Sequence, residues 1–297
     1  MSKQQQSSCK NLELEDLTEV PITQEQYNQI INMQEDILGM IADGEESTMI
    51  LDTLCLLAEK LLSNAVASIM LRDPAIGTLS VIAAPSIPEV GHRALAGLHP
   101  GEHAGSCGNA VFRNEPQYVV NTFEDPRWED LRKLAYDFNL CSCWSMPIRD
   151  QNSKAIGSFA LSSFEHRSPS GFHKKLLEIG AKIVSIVLKN IQKDQTIKLF
   201  SLASQNASEG MMITDENNKI IEVNQAFRNI YKYENKDLIG QDPKVLASKK
   251  QSKEFYKTMW DSLDKTSKWA GEIINVNAYG EEIVQWLSIS ILEAPHN

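Results

Sequence analysis

Amphipathic helical patterns enclose a series of short strand-like segments in the first part of the chain. Apolar residues recur at helical spacing over 23–41 and 47–62, and a long helical pattern runs over 171–203. Between them the period changes, and the apolar runs are bounded by polar turns that are typical of strands. The expected strands are 65–71, 78–84, 117–120, 143–149 and 155–164. This order predicts an α+β fold, in which an antiparallel sheet is flanked by helices from both ends of the domain.

A second, smaller group of elements begins near Ser204. Short strand patterns cover 211–214 and 220–223, and a longer pair, 269–277 and 282–292, is joined by the hairpin signal Tyr279-Gly280. The 297 residues suit two domains at about 150 residues each. We therefore expect two antiparallel sheets, each flanked by helices, joined by a long helix. The expected boundaries are a disordered N-terminus at 1–22, a first domain at 23–192, a helical linker at 193–203 and a second domain at 204–297.

Charge and composition exclude several classes of protein. The chain has 39 acidic and 29 basic residues, and its formal net charge of −10 disfavours nucleic acid as a partner. Its longest strongly apolar stretch, 183–188, is far shorter than the roughly 20 residues that cross a bilayer. The first seventeen residues lack the apolar run of a signal peptide, and an odd number of scattered cysteines fits free thiols. We expect a cytoplasmic protein without a membrane span.

Four motifs in the first domain carry a family resemblance. They are GSCGNA at 105–110, DPRW at 125–128, CWSMPI at 143–148 and GSFA at 157–160. In this order they resemble GAF domains, and most closely the subgroup found ahead of bacterial diguanylate cyclases and sensor histidine kinases. The resemblance covers about residues 25–192. It implies a sensory domain of two-component or cyclic-di-GMP signalling.

The second domain resembles a PAS domain over about residues 200–292. The matching segments are VNQAF at 223–227, LIGQDP at 238–243, FYKTMW at 255–260, WAGE at 269–272, YGE at 279–281 and WLSIS at 286–290. A PAS sheet has five strands, whereas this sequence stops after what reads as the fourth, so we expect the last strand to be missing. No cyclase or kinase signature follows. The resemblance therefore implies an effector domain or a partner protein outside this sequence.

Both resemblances imply sensing of a small molecule or a redox state rather than catalysis. We expect a non-catalytic regulatory module that passes a signal from the GAF domain through the linker helix to the PAS domain. Two alternatives stay open. One is a GAF-type free methionine sulfoxide reductase, whose cysteine–glycine turn is similar but whose further cysteines are not matched by Cys141 or Cys143. The other is a ligand-free dimerisation scaffold. The residues identify neither the ligand nor a cofactor, and no spacing indicates a metal site.

The motifs also supply candidate site residues. Cys107 lies at the expected start of a short helix, where the helix dipole lowers a thiol pKa and favours redox chemistry. The alternative is that Cys107 is simply a small side chain packed beneath a tight glycine turn. A small-molecule pocket is expected between the sheet and the segments 105–110 and 125–138, lined by Cys107, Trp128, Cys143, Ser145 and Phe159. A second pocket, in the PAS-like domain, is expected at Phe227, Trp260 and Trp269.

The long helix predicts a parallel homodimer. Its spacing of three and four residues is typical of a coiled-coil seam and falls on Leu176, Ile179, Ile183, Ile186 and Asn190. Other apolar residues of the helix can cover the sheet of its own domain. A helix that is apolar on more than one face needs a second partner, and an identical chain is the expected one.

Overall fold

The structure, a computed structural model, describes residues 21–292. The expected disordered segment 1–22 therefore lies almost entirely outside the described residues. The chain divides into two compact units, which meet in sequence between Lys193 and Asp194.

The first unit is built on a five-stranded antiparallel sheet. Its strands are β1 Ala65–Arg72, β2 Leu79–Ala83, β3 Gln117–Val119, β4 Ser142–Arg149 and β5 Ala155–Ser163, which agree with the expected segments to within one residue at either end. The strand order is β2-β1-β5-β4-β3, and every neighbouring pair is antiparallel. The central pairing of β4 with β5 sets Cys143 opposite Ser162 and Ser145 opposite Ala160.

Helices cover both faces of this sheet. In chain order they are α1 Gln24–Ala42, α2 Ser47–Lys60, α3 Glu89–Leu95, α4 Gly105–Arg113, α5 Arg132–Asp137 and α6 Gly171–Asn206, with a 3₁₀ turn at Pro126–Trp128. α1 begins with a capping box, because the Thr23 hydroxyl accepts a hydrogen bond from the Gln26 N–H and the Gln26 side chain accepts one from the Thr23 N–H. This is the start that the sequence predicts.

The sheet has a rear face and a front face that differ in chemistry. Side chains alternate along each strand, so Trp144, Phe159 and Leu161 lie on the rear face, in an apolar core shared with α1, α2 and α6. The front face lies beneath α4, which packs over β4 and β5. Its floor carries small buried side chains, Ser68, Cys143, Ser145, Ser158, Ala160 and Ser162, beside the apolar Val66 and Met70. The front face therefore combines buried hydroxyl and thiol groups with apolar side chains.

The first half of α6 packs on the rear face, and this corrects the expected dimer seam. Leu176 and Ile183 are buried in the rear core, and Ile179 packs against that core. Their side chains are taken up by the sheet of the same unit and do not face a second copy. Ile186, in contrast, is 44% exposed.

The second unit contains two separate two-stranded sheets. β6 Met212–Thr214 pairs with β7 Ile220–Val223, and β8 Lys268–Val276 pairs with β9 Glu282–Ser290. The expected hairpin is confirmed, because Asn277 Oδ1 accepts from the Tyr279 and Glu281 N–H groups and Gly280 turns the chain at φ +79°. Antiparallel sheets flanked by helices in both units confirm the α+β fold class.

Short helices of the second unit pack beside these strands. They are α7 Gln225–Tyr231, α8 Asn235–Leu238 and α9 Lys253–Thr266, with a 3₁₀ turn at Pro243–Leu246. Asn224 caps α7, since its side chain accepts a hydrogen bond from the Phe227 N–H. Within the described residues, β6–β7 and β8–β9 do not pair with each other. The expectation that the PAS sheet lacks its last strand stays a prediction.

Candidate functional site

A glycine turn brings the start of α4 close to the front face of the sheet. Gly105 has a φ of +65°, which favours glycine, and a Cβ at this position would lie 2.9 Å from Leu131 Cδ1. The same Cβ would also meet the ring of Trp128 at 3.5 Å. The chain therefore enters α4 directly beneath Trp128, and only glycine leaves room for that path.

Ser106 ties three elements together at this point. Its hydroxyl donates a hydrogen bond to the carbonyl oxygen of Cys143 (2.8 Å) and accepts one from Trp128 Nε1 (3.0 Å). All three residues are buried. Because this buried hydroxyl both donates and accepts a hydrogen bond, it holds the first turn of α4 against β4 and against the 3₁₀ turn that carries Trp128.

Two free thiols meet beneath this turn. Cys107, in the first turn of α4, keeps partial exposure, whereas Cys143 on β4 is buried. The pKa of Cys107 is lowered to about 7, chiefly by a hydrogen bond from the Cys143 thiol; burial opposes this shift, and the Ser158 and Ser145 hydroxyls add to it. The same hydrogen bond, together with burial, raises the pKa of Cys143 well above its usual value. Cys107 is therefore the sulfur that ionises near neutral pH, and Cys143 is its donor.

Two serine hydroxyls complete the group, which we call the thiol–hydroxyl cluster: Cys107, Cys143, Ser145 and Ser158. Within residues 21–292, the Oγ atoms of Ser145 and Ser158 are buried and have no hydrogen-bond partner. A buried hydroxyl without a partner costs about 1–3 kcal/mol, so it is seldom retained without a reason. Both hydroxyls lower the pKa of Cys107, because as hydrogen-bond donors they stabilise its thiolate form. The cluster therefore favours one negative charge on the Cys107 sulfur.

The structure brings together four of the five residues expected in the first pocket. Cys107, Trp128, Cys143 and Ser145 lie beneath or beside the first turn of α4. Phe159 does not join them, because it follows the front-facing Ser158 on β5 and points to the rear face. There its Cε1 would lie 2.3 Å from a Cβ on Gly180 of α6.

Sequence reasoning missed Ser106 and Ser158. Both serines lie inside the motifs GSCGNA and GSFA, next to residues that it chose. Strand alternation places Ser158 and Phe159 on opposite faces of β5. The pairing of Ser145 with Ala160, which shares its face with Ser158, then decides which of the two faces the site.

The three residues expected to form the second pocket do not come together. Phe227 is buried in the core of the second unit, where its ring stacks on Tyr231 at 4.4 Å. Trp269 meets Phe255 edge to face at 5.7 Å. Trp260 is 46% exposed on α9, whose buried residues are Met259 and Leu263.

A cavity of about 420 Å³ opens elsewhere on the first unit, at the C-terminal end of α4. Arg72, His99, Phe112 and Lys154 contribute to its lining, and none of the expected pocket residues does. The side chains of Arg72, Phe112 and Lys154 are exposed, so this is an open groove. The chemistry of the first unit is concentrated at the thiol–hydroxyl cluster.

Comparison with known protein families matches both units. The family model of the GAF domain matches residues 47–188, and that of the PAS domain matches residues 208–293. The chain carries a GAF domain followed by a PAS domain. The thiol–hydroxyl cluster thus lies in the GAF domain, and α6 runs from the GAF match to the start of the PAS match.

Curated relatives of this chain are named as sensors or regulators. It is 26% identical over 178 residues, 60% of the chain, to the methyl sulfide methyltransferase-associated sensor of Methanosarcina acetivorans. It is 35% identical over 77 residues, 26% of the chain, to the nitrogen fixation regulatory protein of Klebsiella oxytoca. The matched regions span only 18% and 16% of the length of these two relatives.

A solved structure of similar fold is the GAF domain from an Acinetobacter phosphoenolpyruvate-protein phosphotransferase. It is 15% identical, with a TM-score of 0.47, and the match covers 59% of this chain and 99% of that domain.

Among the helices described between residues 21 and 292, none has an apolar stretch that could span a bilayer.

Proposed function

We propose that the chain is a non-catalytic regulatory module of a cytoplasmic signalling protein. In this proposal the thiol–hydroxyl cluster of the GAF domain responds to a redox change or to a small molecule, and α6 carries the response to the PAS domain. An effector such as a cyclase or a kinase would receive it. One observation carries the proposal. The strands β4 and β5 carry cluster residues on the front face of the sheet, and their side chains on the rear face contact α6.

The first of these strands is β4. Cys143 and Ser145 face the cluster, and Trp144 between them faces the rear, where its ring stacks on His173 of α6 at 5.0 Å. The Ser185 hydroxyl of α6 also donates to the carbonyl oxygen of Arg149, at the end of β4 (2.7 Å). A displacement of β4 by a change in the cluster would act on α6 at both points.

The second strand is β5. Ser158 faces the cluster, and its neighbour Phe159 fills the space left by Gly180 in α6. Both Phe159 and Trp144 are fully buried. A close-packed core transmits small displacements instead of absorbing them, so these contacts offer a short route from the cluster to the helix.

The names of the relatives support a regulatory rather than an enzymatic role. One is called a sensor and the other a regulatory protein. Among the residues that the structure describes, the groups that shift the pKa of Cys107 are a second thiol and two hydroxyls, and a histidine or carboxylate that could act as a general base is not one of them. This arrangement suits a reversible response better than turnover.

The relay is tested by placing a known group in the cluster and measuring exchange elsewhere. The full chain is alkylated at Cys107 with iodoacetamide, and amide hydrogen exchange is followed by mass spectrometry. We expect altered exchange along α6, including residues beyond Lys193, with the near-ultraviolet circular dichroism retained. The Cys107→Ser variant, treated in the same way, is the control. Changes confined to α4 and the front face would contradict the relay and favour a passive scaffold.

The reductase alternative has a direct test. We expect no sustained turnover of free methionine sulfoxide when dithiothreitol is supplied as the reductant. Turnover that the Cys107→Ser variant loses and the Cys55→Ser variant keeps would overturn the non-catalytic assignment.

A further inference from the structure

We propose that Cys107 and Cys143 form a reversible disulfide, in which Cys107 is oxidised first by a hydroperoxide and Cys143 then resolves it. The inference deepens the proposed function and rests on it, because it takes the thiol–hydroxyl cluster as the sensing site. It names the chemistry to which that site responds, and it assigns a separate role to each cysteine.

The geometry places the two cysteines in one packed group. Cys107 packs against the front-face apolar cluster to which Cys143, Trp128 and Ala160 belong. The hydroxyl of Ser106, the residue before Cys107, donates to the carbonyl oxygen of Cys143 itself (2.8 Å). The first turn of α4 is therefore held to β4 at Cys143 and next to Cys107, the two residues that the new bond would join.

Exposure separates the roles of the two cysteines. Cys107 is partly exposed, whereas Cys143 is 2% exposed, so an oxidant from solvent reaches Cys107 first. The lowered pKa of Cys107, about 7, keeps a large fraction of this sulfur as the nucleophilic thiolate near neutral pH. Cys143 stays protonated and is shielded until Cys107 has reacted.

The reaction takes place in two balanced steps. In the first, the Cys107 thiolate attacks one oxygen of the hydroperoxide and the O–O bond breaks, which leaves a sulfenic acid on Cys107 and releases an alcohol, or water from hydrogen peroxide, after protonation. In the second, the Cys143 sulfur attacks the Cys107 sulfur and the S–O bond breaks, and the hydroxide leaves as water with the proton of Cys143. The two thiols lose two electrons to the hydroperoxide, and two equivalents of a thiol reductant restore them.

Oxidation removes the charge that the cluster favours. A disulfide removes the thiolate that the Ser145 and Ser158 hydroxyls stabilise, and both hydroxyls stay buried without an acceptor. Two buried hydroxyls without hydrogen-bond partners destabilise β4 and β5, which carry them. These are the strands that contact α6. The disulfide thus alters the same two strands on which the proposed relay depends.

Cys55 provides an internal comparison within the same domain. It is buried between α2 and the sheet, with its sulfur 3.9 Å from the carbonyl oxygen of Ala83. Burial, followed by the charges of Glu59 and Asp52, raises the pKa of Cys55 far above its usual value. A buried thiol without an ionising environment should remain reduced under conditions that oxidise Cys107.

The test is a peroxide titration of the full chain. The protein is first reduced, the reductant is removed, and hydrogen peroxide is added. After the peroxide is quenched, the chain is unfolded in iodoacetamide and digested for mass spectrometry. We expect a peptide pair linked through Cys107 and Cys143 that dithiothreitol separates, while Cys55 is alkylated throughout. In the Cys143→Ser variant we expect a sulfenic acid trapped on Cys107 by dimedone, and in the Cys107→Ser variant we expect Cys143 to stay reduced.

The wild-type chain alone decides the outcome if a variant fails to fold. Oxidation of Cys107 to sulfenic or sulfinic acid with Cys143 still alkylated would overturn the inference, and so would oxidation of Cys55 at a similar rate. Failure of the disulfide is distinguishable from failure of the relay. The iodoacetamide experiment reports on α6 whether or not a disulfide forms, and a disulfide that leaves α6 unchanged would refute the relay alone.

Discussion

A half-buried histidine should make the stability of the GAF domain depend on pH. The ring of His173 stacks on Trp144, and its Nδ1 accepts a hydrogen bond from the Ser170 N–H (3.1 Å). Burial, helped by the positive charge of Arg167, lowers the pKa of His173 from 6.5 to about 4. The folded domain therefore holds a neutral imidazole under conditions in which the unfolded chain holds an imidazolium.

We expect stability to fall as the pH falls from about 6.5 to about 4, since in that window the unfolded chain binds a proton that the folded chain does not. The His173→Asn variant keeps an acceptor for Ser170 but does not titrate. It should lose less free energy of unfolding across this window than the wild type, by on the order of 2–3 kcal/mol. Urea unfolding of both proteins at the two ends of the window measures the difference. Equal losses would show that His173 does not govern the pH dependence.

Gly180 sets how closely α6 approaches the sheet. An alanine Cβ would lie 2.3 Å from Cε1 of the fully buried Phe159, whose ring has little room to move. Gly180→Ala should therefore destabilise the domain by about 1–3 kcal/mol, despite the better helix propensity of alanine. Gly39→Ala in α1 is the matched control, because no atom lies within 4 Å of its Cβ. The control should stabilise by about 0.5–1 kcal/mol. A Gly180 variant as stable as the control, by denaturant titration, would refute this packing argument.

The contrast between Phe159 and Ser145 shows what the sequence can and cannot specify at this scale. The structure brings Cys107, Trp128, Cys143 and Ser145 together from three of the motifs, and their role as a binding site stays a prediction. β5 is buried on both faces, so its sequence has no polar–apolar alternation that would assign Phe159 or Ser158 to a face. Only the pairing of β5 with β4 and the packing of α6 settle that choice.

At the scale of elements, α6 combines two kinds of surface along one helix. Its first half is taken up by the rear core, while farther along Ile197 is 67% and Phe200 is 78% exposed. Together with Ile186, these two residues continue the alternating spacing of three and four residues that predicts a coiled-coil seam. The homodimer stays a prediction, and its seam is moved from Leu176 and Ile183 to the exposed positions.

Replacing Ile197 and Phe200 together by glutamate should convert a dimer of the full chain to a monomer without unfolding the GAF domain, because neither side chain is buried. Lys198→Glu is the matched control, since it changes the net charge by the same amount at the neighbouring exposed position. Sedimentation velocity at tens of micromolar measures the association state. A wild-type chain that is already monomeric there, or a control that dissociates equally, would rule out this seam.

Element positions were easier to predict than the joining of the PAS strands. The change from helical spacing to apolar runs located the five strands of the GAF sheet, and Tyr279-Gly280 located the hairpin of the PAS domain. Whether β6–β7 and β8–β9 belong to one sheet depends on partners far away in sequence. No local pattern in either pair encodes such a partner.

At the scale of the whole molecule, the two domains differ in how much apolar surface they bury. The rear core of the GAF domain joins three helices to the sheet. The PAS core is smaller and consists of Ile220, Val223, Phe227, Tyr231, Leu238 and Leu246. On β9 of the PAS domain, Val284 is 62% and Trp286 is 75% exposed. Since burial stabilises by about 25 cal/mol for each Å² of apolar surface, the PAS domain should be the less stable of the two.

We therefore expect the full chain to unfold in two steps, with the PAS domain first. Amide hydrogen exchange measured by mass spectrometry at rising urea concentration separates the two domains by peptide. Peptides from β8 and β9 should lose protection before those from β4 and β5, because their backbone hydrogen bonds lie in a two-stranded sheet with one exposed face. The Gly180→Ala variant supplies the internal check, since it should lower the midpoint of the GAF step and leave the PAS step in place. A single concerted transition, or PAS peptides that outlast those of the GAF sheet, would show that the PAS domain draws stability from contacts that its own small core does not supply.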